Sequence, residues 1–181
     1  MLYICNAMSQ IKNRRYRIAL KDDVPIRKSD RTQQSILDAA LEYLWTNPYR
    51  NLTVNELMSL TGNSRSAFYR YYNDLPAMME HLLSELKEKV LAGTTPWFQG
   101  EGEPILLLRE SLGNMVSVCY QYGPILRAVT YAAPLNERLE KAWTHFVKNF
   151  DDAVSQRIEH QQKAGLIKPF DARPIAIALN R

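Results

Sequence analysis

Residues 31–73, RTQQSILDAALEYLWTNPYRNLTVNELMSLTGNSRSAFYRYYN, hold three short helical patterns separated by turn signals. The first pattern, residues 32–46, repeats apolar residues every three or four positions, which is typical of an amphipathic helix. The second opens at Thr53, a threonine N-cap that is followed three residues later by Glu56, and it is predicted to end at Gly62. Short helices with a glycine turn before the last one predict a helix-turn-helix unit, which reads DNA with its last helix.

The third helix is short and rich in aromatic residues. Ser64 is a good N-cap for it, and Phe68 and Tyr72, four residues apart, predict one buried face. The other side chains then point outward, where arginine can bond guanine bidentately and hydroxyl groups can reach phosphates. The predicted groove-facing residues are Arg65, Ser66, Tyr69 and Arg70. The alternative is an ordinary three-helix bundle, because caps alone do not prove helix-turn-helix geometry.

The segment FYRYYND, residues 68–74, resembles the signature of the TetR family of one-component bacterial transcriptional regulators. The resemblance implies that Phe68 and Tyr72 belong to the core and that Thr53 and Tyr71 contact phosphates. The complete predicted DNA-binding set is Thr53, Ser64, Arg65, Ser66, Tyr69, Arg70 and Tyr71.

Two positions depart from the family pattern. The family often has a lysine after the cap of the next helix, whereas this chain has Leu75, so we expect that phosphate contact to be missing. Tyr72 replaces the usual phenylalanine, which keeps the aromatic ring but adds a hydroxyl group that needs a partner.

Composition and charge divide the chain into three parts. No alternating strand pattern or repeat interrupts the helical signal, so we predict an all-α fold. The parts are a basic, disordered arm (1–30), the helix-turn-helix domain (31–74) and a helical ligand-binding and dimerisation domain (75–181). The arm has seven basic and three acidic residues, which accounts for the whole net charge of +4. It can follow phosphates or be a solvated tail, and the sequence leaves both open.

The second part of the chain contains further helical patterns. Asp74 is predicted to cap a connecting helix, whose end is marked by turn-rich residues at 92–96 and 99–104. Residues 104–122 are apolar nearly all round and predict a central helix that Gly123-Pro124 breaks. A long helix is predicted to open at Pro134 and end near Gly165, and Asp171 is predicted to cap the last one.

In the family, this second part is an effector-binding cage of helices. The residues predicted to line it here are Met115, Tyr120, Tyr131, Trp143, Phe146, Phe150 and Asn180. Such a lining prefers a small apolar or aromatic, uncharged ligand, which Asn114 and Asn149 could orient. Aromatic residues at helical spacing also form ordinary core, so both readings stay open. Trp143 and Asn180 also resemble positions in the subgroup of the mycobacterial regulator of ethionamide activation.

The resemblance further implies a repressor that acts as a homodimer on double-stranded, pseudo-palindromic operator DNA and is released by a small hydrophobic effector. Because the chain stops inside its last predicted helix, we expect it to be truncated and to lack much of the dimer interface. The second hypothesis is an interaction or ligand-binding protein with a degenerate reading head, since residues 31–72 carry four basic and three acidic groups.

Other functional classes find little support in the sequence. His81 and Glu85 lie four residues apart, but no third metal ligand, nucleophile or glycine-rich phosphate loop accompanies them, so we predict no enzyme, metal or cofactor. Cys5 and Cys119 offer neither a disulfide framework nor zinc-site spacing. No secretory signal or long apolar stretch is present, so we expect a cytoplasmic location and no membrane partner.

Overall fold

The computed structural model describes residues 28–100 and 102–180, and this part of the chain is helical without strands. The all-α prediction is therefore confirmed. Residues 1–27 of the predicted arm, with Cys5, lie outside the described residues. These described residues form seven α-helices, which are α1 (Lys28–Thr46), α2 (Val54–Thr61), α3 (Arg65–Tyr69), α4 (Leu75–Gln99), α5 (Pro104–Ala132), α6 (Glu137–Lys163) and α7 (Ala172–Asn180). Short 3₁₀ turns at Tyr49–Asn51 and Ala133–Leu135 precede α2 and α6.

The reading head, α1 to α3, and the body, α4 to α7, share one apolar core. In the head, Ile36 of α1, Leu57 of α2 and Phe68 of α3 are completely buried. The same cluster of buried side chains continues through Met79 of α4 to Leu139 of α6. Because these residues are packed without an interruption at residue 75, burying the body also fixes the position of the head.

Helix α4 continues through the predicted turn at residues 92–96, so that prediction is wrong; the loop predicted at 99–104 is present. Pro96 removes a backbone donor, and side chains of α5 bond to the neighbouring backbone groups. Ser111 Oγ accepts the Trp97 N–H at 3.0 Å, and Asn114 Nδ2 donates to the Gly93 carbonyl at 3.0 Å. These bonds come from residues distant in sequence, so local turn signals did not reveal them.

Helix α5 also differs from its prediction. It is not broken at Gly123-Pro124, because Pro124 lies inside the helix and the turns that follow are buried in the core. The first part of α5 is not central. Ile105 is 72 % exposed and Val116 58 % exposed, because in the described part of the chain α4 covers only the opposite face.

Helix α6 starts later than predicted. Ala133–Leu135 forms a 3₁₀ turn, and the helix begins at Glu137 with Asn136 as N-cap, whose Oδ1 accepts the Leu139 N–H at 3.1 Å. The predicted end is confirmed, since Gly165 follows it with φ +71°. Asp171 Oδ1 accepts the Arg173 N–H at 3.2 Å and so caps α7 as predicted.

Candidate nucleic-acid interface

The turn between α2 and α3 sets the orientation of the reading helix. Thr53 Oγ1 accepts the Glu56 N–H at 3.1 Å and begins α2. Gly62 ends it with φ +68°, a conformation that L side chains rarely adopt. Ser64 Oγ then accepts the Ala67 N–H at 3.3 Å and begins α3. Three local signals within residues 53–64 therefore fix the turn, which explains why it was predictable from the sequence.

Helix α3 divides its side chains between core and solvent. Phe68 is completely buried, and Tyr69 packs edge-on against it with ring centroids 5.5 Å apart. The four predicted groove-facing side chains, Arg65, Ser66, Tyr69 and Arg70, are all exposed. That they contact DNA stays a prediction. Their exposure leaves two guanidinium groups and two hydroxyl groups available on one short helix.

Tyr71 already has a hydrogen-bond partner. Its hydroxyl donates to the Ser29 carbonyl at 2.9 Å, and the guanidinium of Arg70 lies 5.7 Å from the centroid of its ring. Ser29, Arg70 and Tyr71, with Thr32 and Asn63, line an open groove with a volume of about 600 Å³. Because a tyrosine hydroxyl has a single proton, a phosphate contact by Tyr71 requires the bond to Ser29 to break.

The extra hydroxyl group of Tyr72, predicted to need a partner, has two of them, His81 and Gln33. The hydroxyl lies 2.8 Å from His81 Nδ1 and accepts from Gln33 Nε2 at 3.2 Å. With the ring proton on Nε2, His81 faces Glu85 Oε1 at 3.7 Å. Burial raises the pKa of Tyr72 to about 12; the bond from Gln33 opposes this shift and the charge of Glu85 adds to it. The cluster joins α1, the end of the head and α4.

One arginine of the body reaches the head, and a second reaches the first turn of α4. Arg127 of α5 donates to the Leu44 carbonyl in the last turn of α1. A guanidinium at that position also interacts favourably with the negative end of the helix dipole. Arg138 of α6 pairs with Glu80 Oε2 at 2.6 Å and with Asp74 Oδ1, the cap of α4, at 3.4 Å. Neither long-range contact was predictable from local sequence patterns.

The predicted ligand-lining residues are only partly brought together. Trp143 stacks on Phe146 with centroids 5.5 Å apart, and Phe150 meets Phe146 edge-on at 5.0 Å. Met115 and Tyr120 on α5 are half-buried. Tyr131, in contrast, is 74 % exposed and lies on the surface. The aromatic cluster on α6 is therefore real, and its role in binding a ligand stays a prediction.

The asparagines predicted to orient a ligand have different environments. Asn180 Nδ2 donates to Asp151 Oδ1 at 3.0 Å and ties α7 to α6, while Asn114 is bonded to α4. Asn149 Nδ2 is buried and has no hydrogen-bond partner. Two polar groups that the sequence reasoning missed share this property, Arg157 Nε and Gln161 Nε2. Their signal was the helical spacing that continues the stripe of Trp143 and Phe150.

The described residues were compared with the requirements of a metal site and of a membrane-spanning helix. No group of three or more His, Cys, Asp or Glu side chains in residues 28–100 and 102–180 is arranged to hold a metal ion. In the same part of the chain, none of the helices combines the length and the apolar character that crossing a bilayer requires.

Comparison with known proteins agrees with this geometry. Residues 36–82 match the family described as bacterial regulatory proteins, tetR family. That match covers the head from Ile36 of α1 onward and the start of α4. Residues 36–82 therefore carry a domain of the tetR-family type.

The similarity of this chain to solved TetR-family structures extends beyond the head into the body. A TetR-family regulator from Syntrophomonas wolfei superimposes with a TM-score of 0.71 at 18 % identity, covering 84 % of this chain and 79 % of that one. A gamma-butyrolactone receptor of the ArpA-like type gives 0.64 at 18 % identity, covering 85 % and 77 %. Nucleoid occlusion factor SlmA of Marinobacter nauticus is 24 % identical over 140 residues, 76 % of this chain and 71 % of its own. The likeness to the ethionamide subgroup stays a prediction.

Proposed function

We propose that this chain is a DNA-binding transcriptional repressor that a small ligand with an apolar or aromatic body releases from its operator. The observation that carries the proposal is the outward face of α3, where Arg65, Ser66, Tyr69 and Arg70 are exposed beside a buried Phe68. A face of this composition buries no apolar surface, and its arginine and hydroxyl groups suit base edges and phosphates.

The proposed residues divide between positioning and reading. Thr53, Ser64 and Tyr71 flank the reading helix and would contact phosphates, which fix the register of the head on the duplex. Arg65 and Arg70 would read base edges in the major groove, where bidentate contact with guanine discriminates between bases. A homodimer would place two heads on half-sites about one helical turn apart.

Release by the ligand requires a connection between body and head. Tyr72 with His81, and Arg127 with Leu44, supply two such connections. A ligand can shift the spacing of two heads only through its different affinity for the DNA-competent and the released state. We propose that movement of α4 and α5 around a ligand is transmitted through these contacts.

The first test is fluorescence anisotropy with DNA from upstream of the gene and with a scrambled duplex of the same length, each at two salt concentrations. Binding to phosphates releases counterions, so affinity should fall steeply with salt on both duplexes. The upstream duplex should bind more tightly at each salt concentration. Equal affinity for both duplexes would contradict a sequence-reading regulator.

Arg65→Ala tests base reading directly. Loss of a bidentate base contact should weaken operator binding by about 1–3 kcal/mol and leave binding to the scrambled duplex almost unchanged. Arg109→Ala is the matched control, because it removes the same charge from an exposed position on α5. An equal loss on both duplexes would instead make Arg65 a phosphate contact.

A second candidate function is binding to a protein partner. The uncovered apolar face of α5, with Ile105 and Val116, and the small charge excess of the head favour it. In that case the exposed face of α5 would be the functional surface and DNA binding would be weak. DNA binding that depends little on salt would favour this candidate, and so would the absence of DNA binding.

A further inference from the structure

One face of α6 changes from apolar to polar along its length. Leu139 and Phe146 are buried at its beginning, and Trp143 and Phe150 lie half-buried beside them. At the same helical spacing the face continues to Arg157 and Gln161. The stripe that packs on the core therefore ends in a guanidinium and an amide.

These two polar groups are buried without partners. Gln161 is only 6 % exposed, and its Nε2 has no hydrogen-bond partner. Arg157 is half-buried, its Nε is inaccessible to solvent and equally unpartnered, and it takes part in none of the ion pairs of the described residues. A buried donor without an acceptor is costly, and two of them one helical turn apart need an explanation.

The carboxylates nearest in sequence are already engaged elsewhere. Asp151 accepts from Asn180, and Asp152 pairs with Lys148 at 2.7 Å and with Arg173. Glu159 accepts from the hydroxyl of Ser155 at 3.3 Å. The acceptor that Arg157 and Gln161 lack is therefore not supplied by their own helix.

The chemistry of the donors indicates which acceptor fits. The Nε–H of arginine and a neighbouring terminal N–H form a planar fork that matches a carboxylate, and an amide N–H can bond one of its oxygens. Phe150 precedes Arg157 by two helical turns, about 10 Å along the axis, so aromatic surface begins close to the donors. A ligand that meets both needs has an acid group at one end and an apolar body at the other.

We propose that Arg157 and Gln161 bind the carboxylate of a small amphipathic ligand whose apolar body lies along the half-buried Phe150 and Trp143. The binding site itself does not depend on the proposed function. Only the statement that this ligand is the effector rests on it. It replaces the uncharged ligand that the aromatic residues alone predicted with a monocarboxylate. The two N–H groups carry a free-energy cost while they have no acceptor. An acid group removes that cost on binding, and the protein therefore selects for the acid.

The test compares octanoate, below its micellar concentration, with 1-octanol, below its solubility limit, by isothermal titration calorimetry of the full chain. The two probes share the apolar chain and differ in the acid. Charge-assisted hydrogen bonds to Arg157 should make octanoate bind at least about tenfold more tightly. Arg157→Met should remove this preference, Arg157→Lys should retain part of it, and Gln161→Leu should reduce it several-fold.

Lys141→Met is the matched control, because it removes one positive charge from an exposed position on the same helix and should leave the preference unchanged. Arg157→Met and Gln161→Leu should also raise the thermal midpoint of the ligand-free protein, since each removes an unpartnered buried donor. A purely structural role for these side chains would lower it. Equal binding of both probes, or binding of neither, overturns the proposal.

DNA binding measured on the same preparations separates the two proposals. If octanoate binds through Arg157 and operator DNA does not bind, the carboxylate site is supported and the proposed DNA-binding function is refuted. Selective DNA binding together with equal affinity for octanoate and octanol would refute the carboxylate site alone.

Discussion

At the scale of single residues, the hydroxyl of Tyr72 connects the reading head to α4. It lies between His81 Nδ1 and Gln33 Nε2, at 2.8 and 3.2 Å, in a side chain that is 5 % exposed. Tyr72→Phe keeps the ring but leaves both partners without this contact. We expect the free energy of unfolding to fall by about 1 kcal/mol, measured by urea denaturation at pH 7.

Tyr69→Phe is the control for this substitution, because Tyr69 is 49 % exposed and its hydroxyl should contribute little to stability. The free energy of unfolding at alkaline pH gives a second test of the role of Tyr72. Burial raises the pKa of Tyr72 from its ordinary value of 10.0 to about 12. The unfolded chain thus loses this proton first, so stability should fall as pH rises from 10 to 12. Tyr72→Phe should make that fall shallower; an unchanged slope would contradict the role of the buried phenol.

The predictability of residue roles depended on the distance to each partner. The outward side chains of α3 followed from local spacing, because the helix and its cap are encoded within a few residues. The hydroxyl of Tyr71 and the amide of Asn114 could not be assigned, since their acceptors on Ser29 and Gly93 lie 42 and 21 residues away. Contacts of that range follow from tertiary packing and leave no pattern in a single sequence.

At the scale of helices, the predicted caps and glycine stops were reliable, and the predicted proline breaks were not. The caps at Thr53, Ser64 and Asp74 are present as predicted, because each accepts a bond from a backbone N–H three residues ahead. The predicted breaks near Pro96 and Pro124 are absent. A proline removes one backbone bond, and packing against a neighbouring helix can offset that loss.

Ser111 tests whether α5 maintains the second part of α4. It is 2 % exposed, and its Oγ accepts the buried Trp97 N–H at 3.0 Å. Ser111→Ala leaves that donor unpaired, so we expect a loss of about 1–3 kcal/mol in the free energy of unfolding. Ser117→Ala makes the same chemical change at an exposed position of the same helix and should change stability by less than about 0.5 kcal/mol. Equal effects in both variants would mean that α4 does not depend on this bond.

At the scale of the whole molecule, the described parts of the head and the body share one continuous core. Buried residues from Ile36 of α1 to Phe146 of α6 belong to one cluster, and no apolar boundary separates residues 31–74 from the rest. The head and the body, which the sequence predicted as separate domains, are therefore packed against each other. A ligand bound on α6 can influence α3 because the elements between them are packed against each other.

Arg127→Met tests this connection, because the guanidinium of Arg127 on α5 donates to the Leu44 carbonyl at the end of α1. Losing a charged hydrogen bond should lower the free energy of unfolding by about 1.5 kcal/mol. Trp45 on α1 reports on the head, and Trp143 on α6 reports on the body. Two variants each keep one of these residues as the only tryptophan, and its fluorescence is followed during unfolding in urea. If the head and the body unfold together, both probes give one midpoint, and Arg127→Met lowers both by the same amount. A lower midpoint at Trp45 alone would show that the head unfolds independently, in which case a ligand on α6 could not act on α3 through this core.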